Sequence, residues 1–413
     1  MINGFQLTFK RLCGWMAKNG AAIFAFALPL HMLCSSYALV LWFLFSLLYL
    51  FFGGYSSANF LKALNSSKSI GYFIVLYLLL LIGMLYTKNS AIGFEKISIC
   101  LPFLILPVLF WLNKVLLKIR AVFLAFLAGL LISIFLSLLS FLFDNDFNIA
   151  NFYVGFTLFH HPSYYSMLIT LAIALFLFQF ESIAIAQWIR ISIIVFCALL
   201  VFLISSKAGV LVTIGLFFIK SVHVLRSSTK VFPKLLILFT VVALSVVLFQ
   251  NKRVQNMIVN LKHISQQDTP IYPTESTAIR WKIWEKSTVL ISSSFLFGYG
   301  TGDANDHLMD AYNEESYLLR HIISKKYNAH NTFFQLWLMV GVLGPAIVFV
   351  LLIYLIKGYR FSFFSFSIAL IFFLNFFLES MLERHAGVMI FTFFICLLIV
   401  GKDSPFFQRK LAH

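Results

Sequence analysis

The chain has 413 residues, of which 61% are hydrophobic and 11% charged, and its formal net charge is +16. Soluble domains contain about 45–50% apolar and about 25% charged residues, so this composition excludes an ordinary soluble, disordered or collagen-like protein. The five cysteines form no C-x-x-C pair, which argues against a zinc site or a disulfide framework. The composition predicts an all-α membrane protein that crosses the bilayer many times.

Hydropathy over windows of about 20 residues predicts about twelve membrane-spanning helices. Their predicted limits are 18–34, 36–54, 70–86, 97–113, 121–143, 163–180, 190–205, 208–220, 234–250, 331–356, 362–379 and 386–401. The polar segment before the tenth span is long enough to fold on the membrane surface. The chain is therefore predicted to comprise nine spans (1–250), one large loop (251–330), and three spans with a tail (331–413).

The charges predict the orientation of these spans. Most of the 31 Lys and Arg residues fall in segments on one side of the membrane, where Glu181 and Asp403 are the acidic residues. The positive-inside rule assigns that side to the cytoplasm, together with both termini, and the large loop to the periplasm. The basic charge thus follows from topology. It points to anionic phospholipid as a partner and gives no reason to expect nucleic acid.

The large loop is predicted to contain two helices. The first begins at Thr274 as N-cap, carries Arg280, and ends before Gly298. The glycines at 298, 300 and 302 do not have the G-x-G-x-x-G spacing of a dinucleotide site, so we interpret them as a turn. A second helix is predicted over residues 305–325, and residues 328–331 lead into the tenth span.

The sequence excludes several kinds of chemistry. It has no Walker A motif to bind ATP, and no H-E-x-x-H or other histidine spacing typical of metal ligands. Charged residues are scarce within the spans, unlike in ion-coupled transporters. The polar side chains instead gather at the outer ends of the spans: His160, His161, Ser205, Ser206, Lys207, Arg280, His330, Asn331, Glu379, Glu383, Arg384 and His385. This pattern favours a reaction at the outer face, driven by the energy of the substrate itself.

Four of these residues are individual candidates, each with a structural alternative. Lys207, between Ser206 and Gly209, could bind a phosphate or could be a loop lysine extending to water. Arg280 could act in the site or anchor a surface helix at the interface. His330 could be a general base or a helix cap. For His161, which precedes Pro162, a structural turn is the favoured interpretation.

In order along the chain, these motifs resemble the O-antigen ligase family of bacterial membrane glycosyltransferases. The resemblance rests on His161-Pro162, the Ser-Ser-Lys-Ala-Gly run at 205–209, Arg280 with Trp284, the glycine-rich turn at 298–302, Ala329-His330-Asn331-Thr332 with Gly341 and Gly344, and the outer loop with Glu379 and Glu383.

The resemblance implies a GT-C-like fold and an activity. Members transfer a glycan from undecaprenyl diphosphate to an acceptor hydroxyl at the periplasmic face of the inner membrane. In ligases the acceptor is a lipid A–core sugar, and neither a metal nor another cofactor is needed. By the same resemblance Lys207 and Arg280 would bind the diphosphate and His330 would activate the acceptor.

The resemblance also leaves differences and alternatives. His161, Ser206 and Glu383 are further substrate-binding candidates, although the family often has aspartate where this chain has glutamate. It also often has arginine at the position of Lys207, and lysine lacks the guanidinium fork. An O-antigen polymerase or a protein O-oligosaccharyltransferase of the same superfamily would share these motifs. A non-catalytic flippase or transporter would need a polar cavity within the membrane, against which the apolar spans argue.

Overall fold

The computed structural model describes residues 2–143, 152, 156–179, 185–204, 206–227, 276–313, 327–359 and 362–408. Within these ranges the regular secondary structure is helical, as expected. The α-helices are α1 (Ile2–Ala27), α2 (Met32–Phe51), α3 (Ser57–Ser66), α4 (Tyr72–Gly83), α5 (Ser90–Ile99), α6 (Pro102–Asn113), α7 (Ile119–Leu142), α8 (Pro162–Phe178), α9 (Gln187–Ile204), α10 (Lys207–Ser227), α11 (Ser276–Ser293), α12 (Ala304–Asn313), α13 (Thr332–Val340), α14 (Leu343–Gly358), α15 (Phe363–Leu378), α16 (His385–Gly401) and α17 (Pro405–Gln408). Short 3-10 turns cover Lys68–Gly71, Met84–Tyr86, Lys114–Leu116 and Met381–Glu383.

Six helical stretches are long and apolar enough to cross a membrane: Met32–Phe51, Lys68–Tyr86, Ser90–Leu116, Ile119–Leu142, Gln187–Ile204 and Lys207–Arg226. Four shorter apolar helices, α8, α14, α15 and α16, accompany them. Large apolar side chains such as Leu44, Leu131 and Leu199 remain exposed on the long helices. A lipid environment explains such exposure, because soluble proteins rarely expose large apolar patches. The chain is therefore a polytopic membrane protein, while the number of twelve spans stays a prediction.

The short helices α8 and α16 form the centre of the bundle. Nearly every side chain of both helices is buried. Helix α16 packs against α6 and α14, whereas α8 packs against α9, α10 and α15. Their first residues follow His161 and Arg384 respectively, so the N-terminal ends of both central helices adjoin polar residues that the sequence singles out.

The first and the tenth predicted spans differ from the structure for identifiable physical reasons. The first begins much earlier than predicted, because the helix already runs from Ile2, and it ends before the turn that contains Pro29. The tenth, predicted as one helix, is divided into α13 and α14 at Gly341, whose φ is +71°. A left-handed residue breaks the helical hydrogen bonding, which a hydropathy average does not detect. The ninth span, 234–250, lies outside the described residues.

The large loop contains the helices α11 and α12, and a turn over 298–303 separates them. The predicted end of the first helix before Gly298 is confirmed, while Thr274 and residues 314–325 of the second lie outside the described residues. Backbone N–H groups of Tyr299 and Gly300 donate to the last carbonyls of α13, those of Leu338 and Met339. The turn thereby satisfies carbonyls that a helix end leaves without an intrahelical partner.

The same turn attaches the loop to the membrane-spanning bundle. The carboxylate of Asp303 accepts hydrogen bonds from the backbone N–H groups of Lys88 and Asn89, both at 2.7 Å. Thr301 donates its hydroxyl to the Leu80 carbonyl, also at 2.7 Å. Loop helix α11 is thus fixed relative to α4 and α13, and this attachment gives Arg280 a defined position.

Candidate active site

A polar cavity of about 290 Å³ lies at the N-terminal ends of α8, α13 and α16. Its wall combines the start of α8, one side of α11, residues 327–330, and the connection between α15 and α16. The lining residues are His161, Ser163, Tyr164, Ile279, Arg280, Tyr327, Asn328, His330, Glu379, Ser380, Met381 and Arg384. Three of the sequence candidates, His161, Arg280 and His330, are therefore brought together although they are distant in the chain.

Glu379 connects two of these candidates. One carboxylate oxygen lies 3.0 Å from Nδ1 of His330, and the other accepts a hydrogen bond from Nη2 of Arg280. The Nε group of Arg280 also donates to the Leu378 carbonyl at 3.1 Å. About one fifth of the side-chain surface of each of these three residues is exposed, enough to meet a ligand in the cavity. The result is an Arg280–Glu379–His330 chain of polar contacts.

His330 adopts an unusual backbone conformation at this site. Its φ is +43°, the one positive value for a non-glycine residue within the described ranges. The side chain of Asn328 accepts a hydrogen bond from the His330 N–H at 3.0 Å. Asn331 then caps α13 by accepting from the N–H groups of Phe333 and Phe334. Left-handed backbone at such a residue is unfavourable by about 1–3 kcal/mol, and strain of this kind persists where surrounding contacts determine the conformation.

The connection that carries Glu379 is fixed by its own hydrogen bonds. Thr332 donates its hydroxyl to the Glu379 carbonyl at 2.8 Å and accepts from the Met381 N–H at 2.9 Å. Tyr164 of α8 donates to the Met381 carbonyl, and Ser380 accepts from the Asn331 N–H. The carboxylate and the histidine are thus held by two segments that are directly hydrogen-bonded to each other.

The electrostatics of the site favour a charged carboxylate at Glu379 and a neutral His161. Burial alone would raise the pKa of Glu379, but the hydrogen bond with His330 and the charge of Arg280 outweigh burial and hold it below the usual value. Burial lowers the pKa of His161, with Glu379 opposing this shift and Arg384 reinforcing it. No group of three or more His, Cys, Asp or Glu side chains within the described ranges is arranged to hold a metal ion.

The other sequence candidates lie outside the cavity wall. Lys207 is the first residue of α10 and has contacts of its own, and Ser206 accepts a hydrogen bond from the Gly209 N–H at 3.2 Å. A Cβ atom added at Gly209 would lie 2.7 Å from the Cβ of Ser166. Ser166 is one helical turn along α8 from Ser163, which lines the cavity. This part of α10 therefore packs directly behind the cavity.

Glu383 also lies outside the wall, in a buried pair with Lys96 of α5. Glu379, which is not among the predicted site residues, is the carboxylate in the cavity. Arg384 and Tyr164 were likewise not selected. The available signal was the clustering of Glu379, Glu383 and Arg384 at the end of one predicted span. That clustering does not reveal which carboxylate turns toward His330.

Comparison with known proteins concerns the part of the chain that contains several of these residues. Residues 191–349 match the family model described as O-antigen ligase, a region that contains Lys207, Arg280 and His330. His161 and Glu379 lie on either side of it in the sequence. No curated protein matches the chain. The family match confirms the resemblance found in the motifs, because this region of the chain is similar to the O-antigen ligase family.

Proposed function

We propose that this protein is an O-antigen ligase of the bacterial inner membrane. It transfers a glycan from undecaprenyl diphosphate to a hydroxyl of a lipid A–core sugar on the periplasmic side. The observation that carries the proposal is the contact between His330 Nδ1 and the Glu379 carboxylate in a polar cavity. Such a histidine–carboxylate pair suits general base catalysis on a hydroxyl.

The pair defines which nitrogen of His330 acts. An ionised carboxylate can only accept hydrogen bonds, so a neutral His330 donates its Nδ1–H to Glu379 and carries its lone pair on Nε2. As the acceptor oxygen attacks the anomeric carbon, Nε2 takes the hydroxyl proton. The bond from the anomeric carbon to the diphosphate oxygen breaks, and the diphosphate leaves with the electron pair. Attack opposite the leaving group inverts the anomeric centre.

The leaving group requires positive charge. Negative charge grows on the bridging oxygen as the glycosidic bond breaks, and preorganised cations stabilise that transition state. Arg280 and Lys207 are the cations proposed from the family resemblance, with Ser206 and His161 as neighbouring donors and Glu383 as a supporting carboxylate. The diphosphate is already a good leaving group, so the reaction needs neither ATP nor a metal ion.

The periplasmic location of the cavity is part of the proposal. Helices α4, α14 and α16 have one end near the cavity and the large loop, and their opposite ends carry Lys68, Lys357 and Lys402. The positive-inside rule assigns the lysine-rich end to the cytoplasm. Cysteine labelling with an impermeant reagent tests this in a background lacking the native cysteines. Glu285→Cys should be labelled from outside and Lys62→Cys only after permeabilisation; the reverse result would overturn the topology.

The experiment for the function is transfer by purified protein from lipid-linked glycan to isolated lipid A–core. His330→Ala should lower the transfer rate by about 10²–10⁴-fold while donor affinity is retained, because general base catalysis is worth that much. His161→Ala, which removes the histidine at the start of α8, is the comparison and should lose less. A His330→Ala protein that transfers normally, or that loses only donor affinity, would end the base assignment.

The choice of acceptor is tested separately. In a deletion strain, a ligase defect leaves lipopolysaccharide without long chains while lipid-linked polymer accumulates. A core capped with a single repeat would instead identify a polymerase.

The role of Lys207 is tested by graded substitution in the transfer assay with purified protein: Lys207→Arg should retain more activity than Lys207→Ala. Full activity of the alanine variant would remove Lys207 from the site.

A further inference from the structure

The two arginines in the cavity wall are in different electrostatic situations. Arg280 is paired with the Glu379 carboxylate and also donates to the Leu378 carbonyl. Arg384 lines the same cavity and is exposed, and its side chain makes no hydrogen bond or ion pair with any residue in the described ranges. Its positive charge nevertheless reaches the site, because it is one of the causes that lower the pKa of His161.

The charges around the cavity also distinguish Arg280 from Arg384. The negative charge of Glu379 offsets that of Arg280, so the pair presents little net charge to a ligand. Among the described lining residues, Arg384 then supplies the positive charge that no carboxylate balances. An anion entering this cavity would find the Arg280 guanidinium already hydrogen-bonded, and that of Arg384 available.

The start of α16 adds to this preference for an anion. Arg384 is the N-cap residue of α16, and its side chain makes no capping hydrogen bond. The first backbone N–H groups of a helix carry partial positive charge, which favours a nearby phosphate. A guanidinium beside such a helix start can offer two parallel N–H donors to phosphate oxygens.

We propose that Arg384 binds the diphosphate of the lipid-linked donor, and that Arg280, which the family resemblance places at the diphosphate, is instead a positioning residue that orients His330 through Glu379. This inference rests on the proposed function, since it takes the donor to be a polyprenyl diphosphate. It assigns the two arginines to separate steps. Arg384 governs donor affinity and leaving-group stabilisation, and Arg280 governs the orientation of the base.

The test compares the two arginines in full-length protein reconstituted in phosphatidylcholine nanodiscs. Arg384→Ala should weaken donor binding, measured as KM and as direct affinity for undecaprenyl diphosphate, by about ten- to hundredfold, as expected for a lost charge-assisted contact. Arg384→Lys should fall between wild type and alanine, because lysine keeps the charge without the fork. Arg280→Ala should lower kcat more than it raises KM.

Lys282→Ala is the matched control, because Lys282 is a cation of α11 that pairs with Glu285 outside the cavity wall. It should bind undecaprenyl diphosphate as the wild type does. Unchanged affinity in Arg384→Ala would overturn the proposal, as would an Arg280→Ala variant whose defect is confined to donor affinity.

Phosphate groups of ordinary phospholipids have the same chemistry as the donor, so a further arm adds phosphatidylglycerol to the nanodiscs. If that lipid abolished the difference between wild type and Arg384→Ala, the residue would bind lipid head groups and the donor assignment would fail. Direct binding of undecaprenyl diphosphate also separates this inference from the proposed function. Binding is measured without transfer, so the difference in affinity between wild type and Arg384→Ala can be determined even if the protein transfers no glycan to lipid A–core.

Discussion

Replacing Glu379 by glutamine tests how the base is oriented, because it changes one carboxylate oxygen to an amide nitrogen at constant size. Arg280 can only donate hydrogen bonds, so the amide oxygen of the new side chain should face Arg280. Its NH₂ group then faces Nδ1 of His330, at the position where the structure has an oxygen 3.0 Å away. Nδ1 must accept that hydrogen bond, which moves the imidazole proton to Nε2 and removes the lone pair that takes the substrate proton.

The expected decrease in transfer rate follows from the loss of the general base. The variant keeps the Arg280 contact and the cavity shape but loses the base, so transfer should fall by about 10²–10⁴-fold. That range corresponds to about 3–5 kcal/mol in the activation barrier. Donor affinity should change little, since no diphosphate contact is altered. Glu379→Asp keeps the carboxylate on a shorter side chain and should fall between the wild type and Glu379→Gln.

The assay is single-turnover transfer at saturating donor and acceptor, with donor affinity measured in parallel. Glu285→Gln is the control because Glu285 forms an exposed pair with Lys282 on α11, and such pairs contribute about 0–1 kcal/mol. If Glu379→Gln turned over within about threefold of wild type while His330→Ala was inactive, the tautomer argument would be refuted.

Three further predictions concern cofactors, pH and backbone geometry. Transfer should survive EDTA, since the sequence has no metal-ligand motif; strict dependence on added magnesium or manganese would contradict this. Burial lowers the pKa of His160 to about 4, with its ring 3.1 Å from the Leu28 carbonyl. Between about pH 6.5 and 4 the unfolded state therefore binds a proton at His160 that the folded state does not bind. The free energy of unfolding falls by about 2 kcal/mol from pH 7.5 to 5 for this reason. His160→Gln, which cannot titrate, should show a weaker decline in melting temperature over that range, and an identical decline would refute the assignment. Gly341→Ala should strongly destabilise the fold in thermal unfolding, because its Cβ would lie 1.9 Å from the Leu296 carbonyl oxygen at a φ of +71°. Gly358→Ala, whose Cβ meets no atom within 4 Å, should be nearly neutral; equal melting temperatures for the two variants would contradict the clash.

Much of the fold could be predicted because each long apolar run must become a helix in lipid. In a bilayer, backbone polar groups have no water to bind, so hydropathy alone determines most helices. The division of the tenth span could not be predicted in this way. It depends on Gly341 packing against the backbone of Leu296 and Phe297, residues of a different segment. A local average of hydropathy contains no information about such contacts.

The presence of His330 and Arg280 in one polar cavity was predictable for a different reason. His330 and Arg280 are polar residues in a setting where polarity is scarce, and both stand in motifs whose order resembles a known family. Glu379 and Glu383, by contrast, are the same residue type at the same span end. Glu379 follows α15 in extended backbone, whereas Glu383 ends a 3-10 turn. Only that local geometry directs one carboxylate to His330 and the other to Lys96.

The dependence of the site on distant segments also explains why the strained His330 backbone is tolerated. The residue is 49 positions from Glu379, and Glu379 is 99 positions from Arg280, so no short motif contains the whole arrangement. The hydrogen bonds of Thr332 and Asn331 to residues 379–381 join the two segments through the hydroxyls of Thr332 and Ser380, independently of the histidine ring. Those bonds offset the unfavourable conformation and leave the ring free to pair with Glu379. The scaffold that holds the base is therefore separate from the groups proposed to react, and substitutions of His330 or Glu379 should report on chemistry more than on folding.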